Sequence, residues 1–193
     1  MSNDIIDLLF HPGRFFERET SEKPDFLIPV LIVGAGWVFS LLTPFVMTAF
    51  LPGQNLRNVL AIPSVFWLLF NPFTTWILLS LGLFGLSRVF SGTGTFLATL
   101  CNAGYGMLPL TLIAVLGLVT SPLNIGLSII IGMVFLSLLL DLWSGYLWMH
   151  AVEKTHAISR GKAIAVAGFV TFLFIVSKFA LPLVILIRLM AGR

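Results

Sequence analysis

The chain has 193 residues, of which 58% are hydrophobic and 10% are charged, and its formal net charge is +3. Soluble domains normally carry about a quarter of charged residues, so this composition excludes a soluble globular protein and indicates an integral membrane protein. The small charge, without any run of lysines or arginines, argues against a nucleic-acid partner, and the single cysteine excludes an internal disulfide.

The N-terminal segment, residues 1–25, carries nine of the nineteen charged residues. It contains two short apolar clusters, Ile5–Phe10 and the Phe15–Phe16 pair, which are separated by a Pro-Gly break. This pattern is typical of short amphipathic helices that lie on a membrane surface, although a partly ordered tail is the alternative. We expect Arg14, Phe15 and Phe16 to contact lipid and headgroups.

Five apolar stretches follow, each long enough to cross about 30 Å of hydrocarbon as a helix, at residues 26–51, 62–86, 96–119, 123–149 and 163–189. We therefore predict an all-α fold, a bundle of five transmembrane helices. Of the lysines and arginines outside or near the ends of these spans, seven lie on the side of the N-terminus and three on the other side. The positive-inside rule then places the N-terminus in the cytoplasm and the C-terminus outside.

The third predicted span contains residues that a simple lipid-facing helix does not need. Asn102, Tyr105, Gly106 and Pro109 share one helical face. Glycine allows close helix contacts in membranes, and proline interrupts the helical hydrogen bonds. Two interpretations remain open, a kinked face that packs inside the protein or a groove for a ligand or partner.

Two charged residues lie well inside predicted spans, away from their ends. An acid in mid-span is costly, so Asp141 is expected to face protein or water. Counting 1.5 Å per residue from the predicted span ends places Asp141 level with Asn102. We expect Asp141 to contact Asn102 or Tyr105, or to be held protonated by its apolar setting, and its role to be that of a buried polar clamp or of a proton or cation site. The same count places Lys178 nearer the outside, where its side chain would extend to the outer headgroups.

Patterns that would support catalysis or cofactor binding are weak. His150, Glu153 and His156 are metal-ligand residue types, but their spacing fits one helix face poorly. The glycines of "SGTGT" lack the lysine and spacing of a phosphate-binding loop, which favours a flexible connector. We expect no metal, no cofactor and no enzymatic activity.

Three segments, in this order, carry a family resemblance: "HPGRFFERE", "NAGYGMLPLTL" and "HAISRGKAIAV". They resemble the P-x-x-FF opening, the GY-x-x-LP segment of the third span and the short basic loop of the prokaryotic branch of the Yip family. Members of this family are five-span membrane proteins, named for interacting with Ypt/Rab GTPases. The likeness covers nearly the whole chain.

The resemblance implies a cytoplasmic N-terminus, a prokaryotic cell membrane, and a role in membrane organisation or trafficking through partners in the same membrane. The chain lacks the Asp-Leu-Tyr-Gly-Pro segment and the longer N-terminal region of the eukaryotic members. This difference argues against a Rab-type GTPase partner.

Two functional hypotheses follow. The first is a non-enzymatic scaffold or adaptor that binds a second copy or another membrane protein through the face of the third span. The second is a small transporter or channel with a mid-membrane site at Asp141, in which prolines 72, 109 and 182 break the helices.

Overall fold

The computed structural model describes residues 2–21, 25–50, 71–121 and 127–191. Within these ranges the fold is all-helical, which confirms the predicted class. The helices are α1 (Ser2–Phe10), α2 (Pro12–Ser21), α3 (Leu27–Phe50), α4 (Pro72–Val89), α5 (Phe96–Tyr105), α6 (Leu108–Thr120), α7 (Leu127–His156) and α8 (Arg160–Ala191).

Three of these helices are long and apolar enough to cross a membrane over residues whose side chains are described, at Pro72–Val89, Ile131–His156 and Arg160–Lys178. The consecutive helices α5 and α6 qualify together as one bent span, and α3 contains a shorter apolar stretch, Leu27–Thr43. This arrangement agrees with an integral membrane protein and is compatible with the five predicted spans.

The third predicted span is broken where the sequence places glycine and proline. Thr95 caps α5 by accepting a hydrogen bond from the backbone N–H of Ala98. Helix α5 ends at Tyr105, and α6 begins at Leu108 with Pro109 in its first turn. Proline is tolerated there because backbone N–H groups of the first turn have no partner within the helix. The two helices are bent by 41°, which confirms the predicted kink.

The second predicted span is described from Asn71 onward. Asn71 caps α4 by accepting a bond from the backbone N–H of Phe73, and Pro72 occupies the first turn. Pro72 therefore lies at the start of α4, directly after the non-helical Asn71, and the predicted break within this span stays a prediction. The preceding part of this predicted span, residues 62–70, lies outside the described residues.

Helices α7 and α8 form a long antiparallel pair joined by a short turn, and α7 lies at the centre of the bundle. It packs against α2, α5, α6 and α8, while α3 packs mainly on α6 and α5. Helices α7 and α8 come close at Gly145, where an added Cβ would lie 2.5 Å from Thr171 Oγ1. Helix α8 continues through residue 182, so the predicted break there is wrong.

Candidate functional site

The polar face of α5 is turned toward α7 of the same chain. The side-chain amide of Asn102 donates a 2.8 Å hydrogen bond to Thr155 Oγ1. About two turns away along α7, the indole N–H of Trp148 donates to the carbonyl of Ala103 at 3.1 Å. Both tryptophan and amide are buried, so these bonds satisfy polar groups that lipid could not.

Gly106 provides the space for this contact. A Cβ built on it would lie 2.3 Å from Trp148 Cδ1 and Nε1, far inside van der Waals contact. Pro109, at the start of α6, is also buried. Of the two interpretations left open by the sequence, this arrangement agrees with the kinked face that packs inside the protein, because α7 lies against Asn102 and Gly106.

Tyr105 contacts the N-terminal hairpin, which consists of α1 and α2. Its ring packs edge-on against Phe15 at 4.9 Å and Phe16 at 6.4 Å between centroids. Its hydroxyl donates a 3.2 Å bond to Glu19 Oε2 of α2. These contacts attach α2 to the end of the bundle where α7 and α8 meet.

The two phenylalanines of the hairpin do not contact headgroups. Phe15 is 3% and Phe16 0% exposed, and both pack with Leu147 of α7. The predicted headgroup contact is wrong for them because helices α5 and α7 offer an apolar surface that the sequence pattern could not reveal. Arg14 points outward and is exposed, so its predicted headgroup contact stays a prediction.

Asp141 is paired with Lys178 of α8. Lys178 Nζ donates to Asp141 Oδ2 at 2.8 Å and Oδ1 at 3.1 Å, and to Ser137 Oγ at 2.7 Å. The Asp141 side chain is fully buried and that of Lys178 is 28% exposed. The predictions that Asp141 contacts Asn102 or Tyr105, and that Lys178 extends to the headgroups, are both wrong.

The error lies in where α7 ends. The sequence count began at His150, but α7 continues to His156, so Asp141 lies fifteen residues, about 22 Å, from that end. Lys178 is eighteen residues, about 27 Å, from the start of α8, and its side chain leans back toward that start. The side chains of Asp141 and Lys178 therefore meet. Asp141 lies near the level of Ile113 on α6, because Leu140, the residue before Asp141, lines a small cavity together with Ile113.

A cavity of about 280 Å³ lies beside the ion pair, between α3, α4, α6 and α8. Lys178 reaches its wall, and so do the side chains of Ser40, Thr75 and Thr111; the remaining lining is mostly apolar. A charged group on the wall of an intramembrane cavity is a functional-site candidate by default. On this wall, Lys178 Nζ is hydrogen-bonded to the carboxyl group of Asp141.

The histidines occupy the other end of α7. Nε2 of His156 forms a 2.8 Å hydrogen bond with Thr99 Oγ1, and the ring of His150 packs edge-on against Tyr146 at 4.9 Å. Among the described residues no three His, Cys, Asp or Glu side chains converge as metal ligands. The hydrogen bond between His156 of α7 and Thr99 of α5 could not be predicted from the sequence, which shows only the two residue types.

The "SGTGT" turn packs tightly on the same end of α7, which contradicts the expected flexible connector. The N–H of Thr93 donates to the carbonyl of His156 at 3.1 Å. A Cβ on Gly94 would lie 2.5 Å from the carbonyl oxygen of Thr155. The glycine is needed here for a close backbone approach.

Comparison with protein families matches residues 6–181 to the Yip1 domain. The match begins within α1, includes the hairpin and every helix from α2 to α7, and ends within α8. Comparisons with curated proteins and with solved structures gave no match. Since the match covers most of the chain, this integral membrane protein belongs to the Yip1 domain family.

Proposed function

We propose that this protein is a non-enzymatic scaffold or adaptor in membrane organisation or trafficking. The observation that carries the proposal is the attachment of the N-terminal hairpin to the bundle through the buried Phe15 and Phe16. The apolar spans hold this hairpin at the end of the bundle, where its outer face is open to water. Membership of the Yip1 domain family supports a membrane role of this kind.

The outer face of the hairpin is the surface we assign to a partner. Glu17 is largely exposed and forms a surface ion pair with Lys154 at 3.1 Å, a kind of pair that contributes about 0–1 kcal/mol. Ile5, Ile6 and Phe10 of α1 are exposed and apolar, so this helix would rest on the lipid surface. We place this end of the bundle in the cytoplasm, with another membrane protein or a second copy as partner.

A photoreactive amino acid at Glu17 tests the assignment in native membranes. We expect discrete crosslinked protein bands from this position, with either a second copy or a partner identified by mass spectrometry. The same amino acid at Leu142, an exposed apolar position on α7, is the matched control and should label lipid. Equal labelling patterns at the two positions, without protein bands, would contradict the adaptor function.

A second candidate, a small transporter or channel, is favoured by polar groups around the ion pair. Ser137, Asp141 and Ser144 lie on one face of α7. The hydroxyls of Ser144 and of Thr171 on α8 are buried and have no hydrogen-bond partner within the described ranges. Buried polar groups of this kind are commonly satisfied by water.

Thiol accessibility separates this candidate from a dry scaffold. A Ser144→Cys change in a Cys101→Ser background keeps the ion pair intact and introduces a thiol of similar size. Labelling by a small water-soluble reagent would indicate water at mid-membrane, and an Asp141→Asn change should then alter solute flux. Protection of this thiol to the same extent as one at Leu142 would argue against a transport pathway.

A further inference from the structure

An apolar groove runs along the membrane-facing side of α4 and α8. Its volume is about 520 Å³. Its walls come from two helical faces, residues Thr75, Leu78, Leu79, Gly82 and Leu86 on α4 and Phe169, Val170, Leu173, Phe174 and Ser177 on α8. Thr75 and Phe174 also line the cavity beside Lys178, so groove and cavity are adjacent.

We propose that the groove and the adjoining cavity together bind one phospholipid. Its acyl chain lies in the groove between α4 and α8, and its phosphate lies at the cavity, at the end marked by Lys178. The lipid belongs to the leaflet opposite the turn that joins α7 to α8. This site does not rest on the adaptor function.

The length of the groove fits one leaflet. From Phe169 to Lys178 the rise along α8 is about 14 Å, and half of a typical hydrocarbon core is about 15 Å. The side chains along this length are apolar except for a hydroxyl at Thr75 and at Ser177, so the groove suits one extended acyl chain of a single leaflet.

The two ends of this site differ in polarity as a phospholipid requires. At the Phe169 end the walls, which include Leu86 of α4 and Val170 of α8, are apolar, and the side chain of Phe169 is exposed toward the membrane. At the other end Lys178 reaches the cavity with a partly exposed side chain. The hydroxyls of Ser40 and Thr75 line this end as well, and neither forms a hydrogen bond with the part of the chain that the structure describes.

Recognition of the phosphate would use these groups. Lys178 holds Asp141 through two contacts, and the longer one, 3.1 Å, can be exchanged for a phosphate oxygen while the 2.8 Å contact is kept. The hydroxyls of Ser40 and Thr75 would donate to the same phosphate. Charge-assisted bonds from an ammonium to phosphate are among the stronger ones in proteins.

The test uses a phospholipid with a photoreactive diazirine in mid-chain, present in vesicles of phosphatidylglycerol and phosphatidylethanolamine that contain the whole protein. We expect the label on groove residues such as Leu78 and Leu173. Gly82→Leu fills the groove and should reduce this labelling by about tenfold. A Cβ at Gly82 would meet Val170 at 3.4 Å, an ordinary contact, so the fold should tolerate the change.

Gly85→Leu is the matched control, because a Cβ there meets nothing within 4 Å; its labelling should equal that of the parent. Equal labelling of the two variants, or label spread evenly onto the exposed face of α7, would mean bulk lipid contact and overturn the proposal. Excess inorganic phosphate should leave the labelling unchanged. Loss of labelling in phosphate would instead identify free phosphate as the ligand and also overturn it.

Discussion

The contact between Gly106 and Trp148 allows a sharp prediction for Gly106→Ala. Gly106 has φ −67° and ψ −10°, a conformation that alanine adopts freely, so any effect must come from the added methyl group. That group would lie 2.3 Å from two atoms of Trp148. Trp148 is fully buried in the core and cannot move aside without displacing its neighbours.

The magnitude follows from two losses. Inserting a methyl group into a packed core costs about 1–3 kcal/mol. Displacing the indole also weakens the hydrogen bond from Trp148 Nε1 to the carbonyl of Ala103, worth about 1 kcal/mol. We expect Gly106→Ala to lower the free energy of unfolding by about 2–4 kcal/mol, a large part of the 5–15 kcal/mol typical of folded domains.

Stability would be measured in mixed micelles by titrating sodium dodecyl sulfate and following tryptophan fluorescence, with limited proteolysis as a second probe. Gly117→Ala is the matched control on α6, since a Cβ there meets nothing within 4 Å. Alanine is the better helix former by about 0.5–1 kcal/mol, so this control should be neutral or slightly more stable.

The reasoning fails if both variants unfold within about 0.5 kcal/mol of the parent, the range typical of surface substitutions away from special features. Such a result would mean that α5 and α7 do not approach closely at Gly106. The inward orientation of the whole polar face of α5 would then be wrong, and the groove for a partner would again be open.

Three further changes probe the other contacts. Lys178→Met leaves a buried carboxylate alone and should lower the free energy of unfolding by about 3–5 kcal/mol. Asp141→Leu should lower it less, because the lysine that it leaves is partly exposed. The double variant should be near the parent in the same detergent titration, whereas additive costs would argue against the pair. Phe16→Ala should cost about 3–5 kcal/mol locally and speed trypsin cleavage within the N-terminal hairpin, while Phe10→Ala, at an exposed position, should not; equal cleavage rates would contradict docking of the hairpin. Asn102→Ala should cost about 1–3 kcal/mol because its hydroxyl partner on α7 is left buried, and a thermal unfolding midpoint equal to that of the parent would contradict this bond.

The sequence was sufficient for features that depend on local chemistry. The apolar stretches predicted the helical membrane class, and Gly106 with Pro109 predicted the broken third span, because hydrophobic length and backbone geometry act within one segment. The helix start at Pro72 follows from the same local chemistry, since Asn71 is a favourable N-cap residue and proline suits the first turn of a helix.

Features that depend on register between helices could not be obtained in this way. A shift of six residues in the end of α7 moved Asp141 from the level of Asn102 to that of Lys178, about 9 Å at helical rise. Likewise, Phe15 and Phe16 look the same whether they face lipid or protein, because both surroundings are apolar. Only the positions of α5 and α7 decide between them.

The structure also gives a physical meaning to the family resemblance. Two of the segments that carry it, "HPGRFFERE" and "NAGYGMLPLTL", are the two sides of one contact, since Phe15 packs on Tyr105 at 4.9 Å between centroids. The shared pattern therefore describes how the hairpin is held on the bundle. Because these residues are buried against each other inside the fold, they are not available to bind a partner. Specificity for a partner or a lipid should reside in surfaces outside this pattern, namely the exposed side of α2 and the groove between α4 and α8. Exchanging Glu17 or Gly82 should accordingly change what the protein binds while leaving its fold intact, whereas exchanging Phe16 or Gly106 should damage both together.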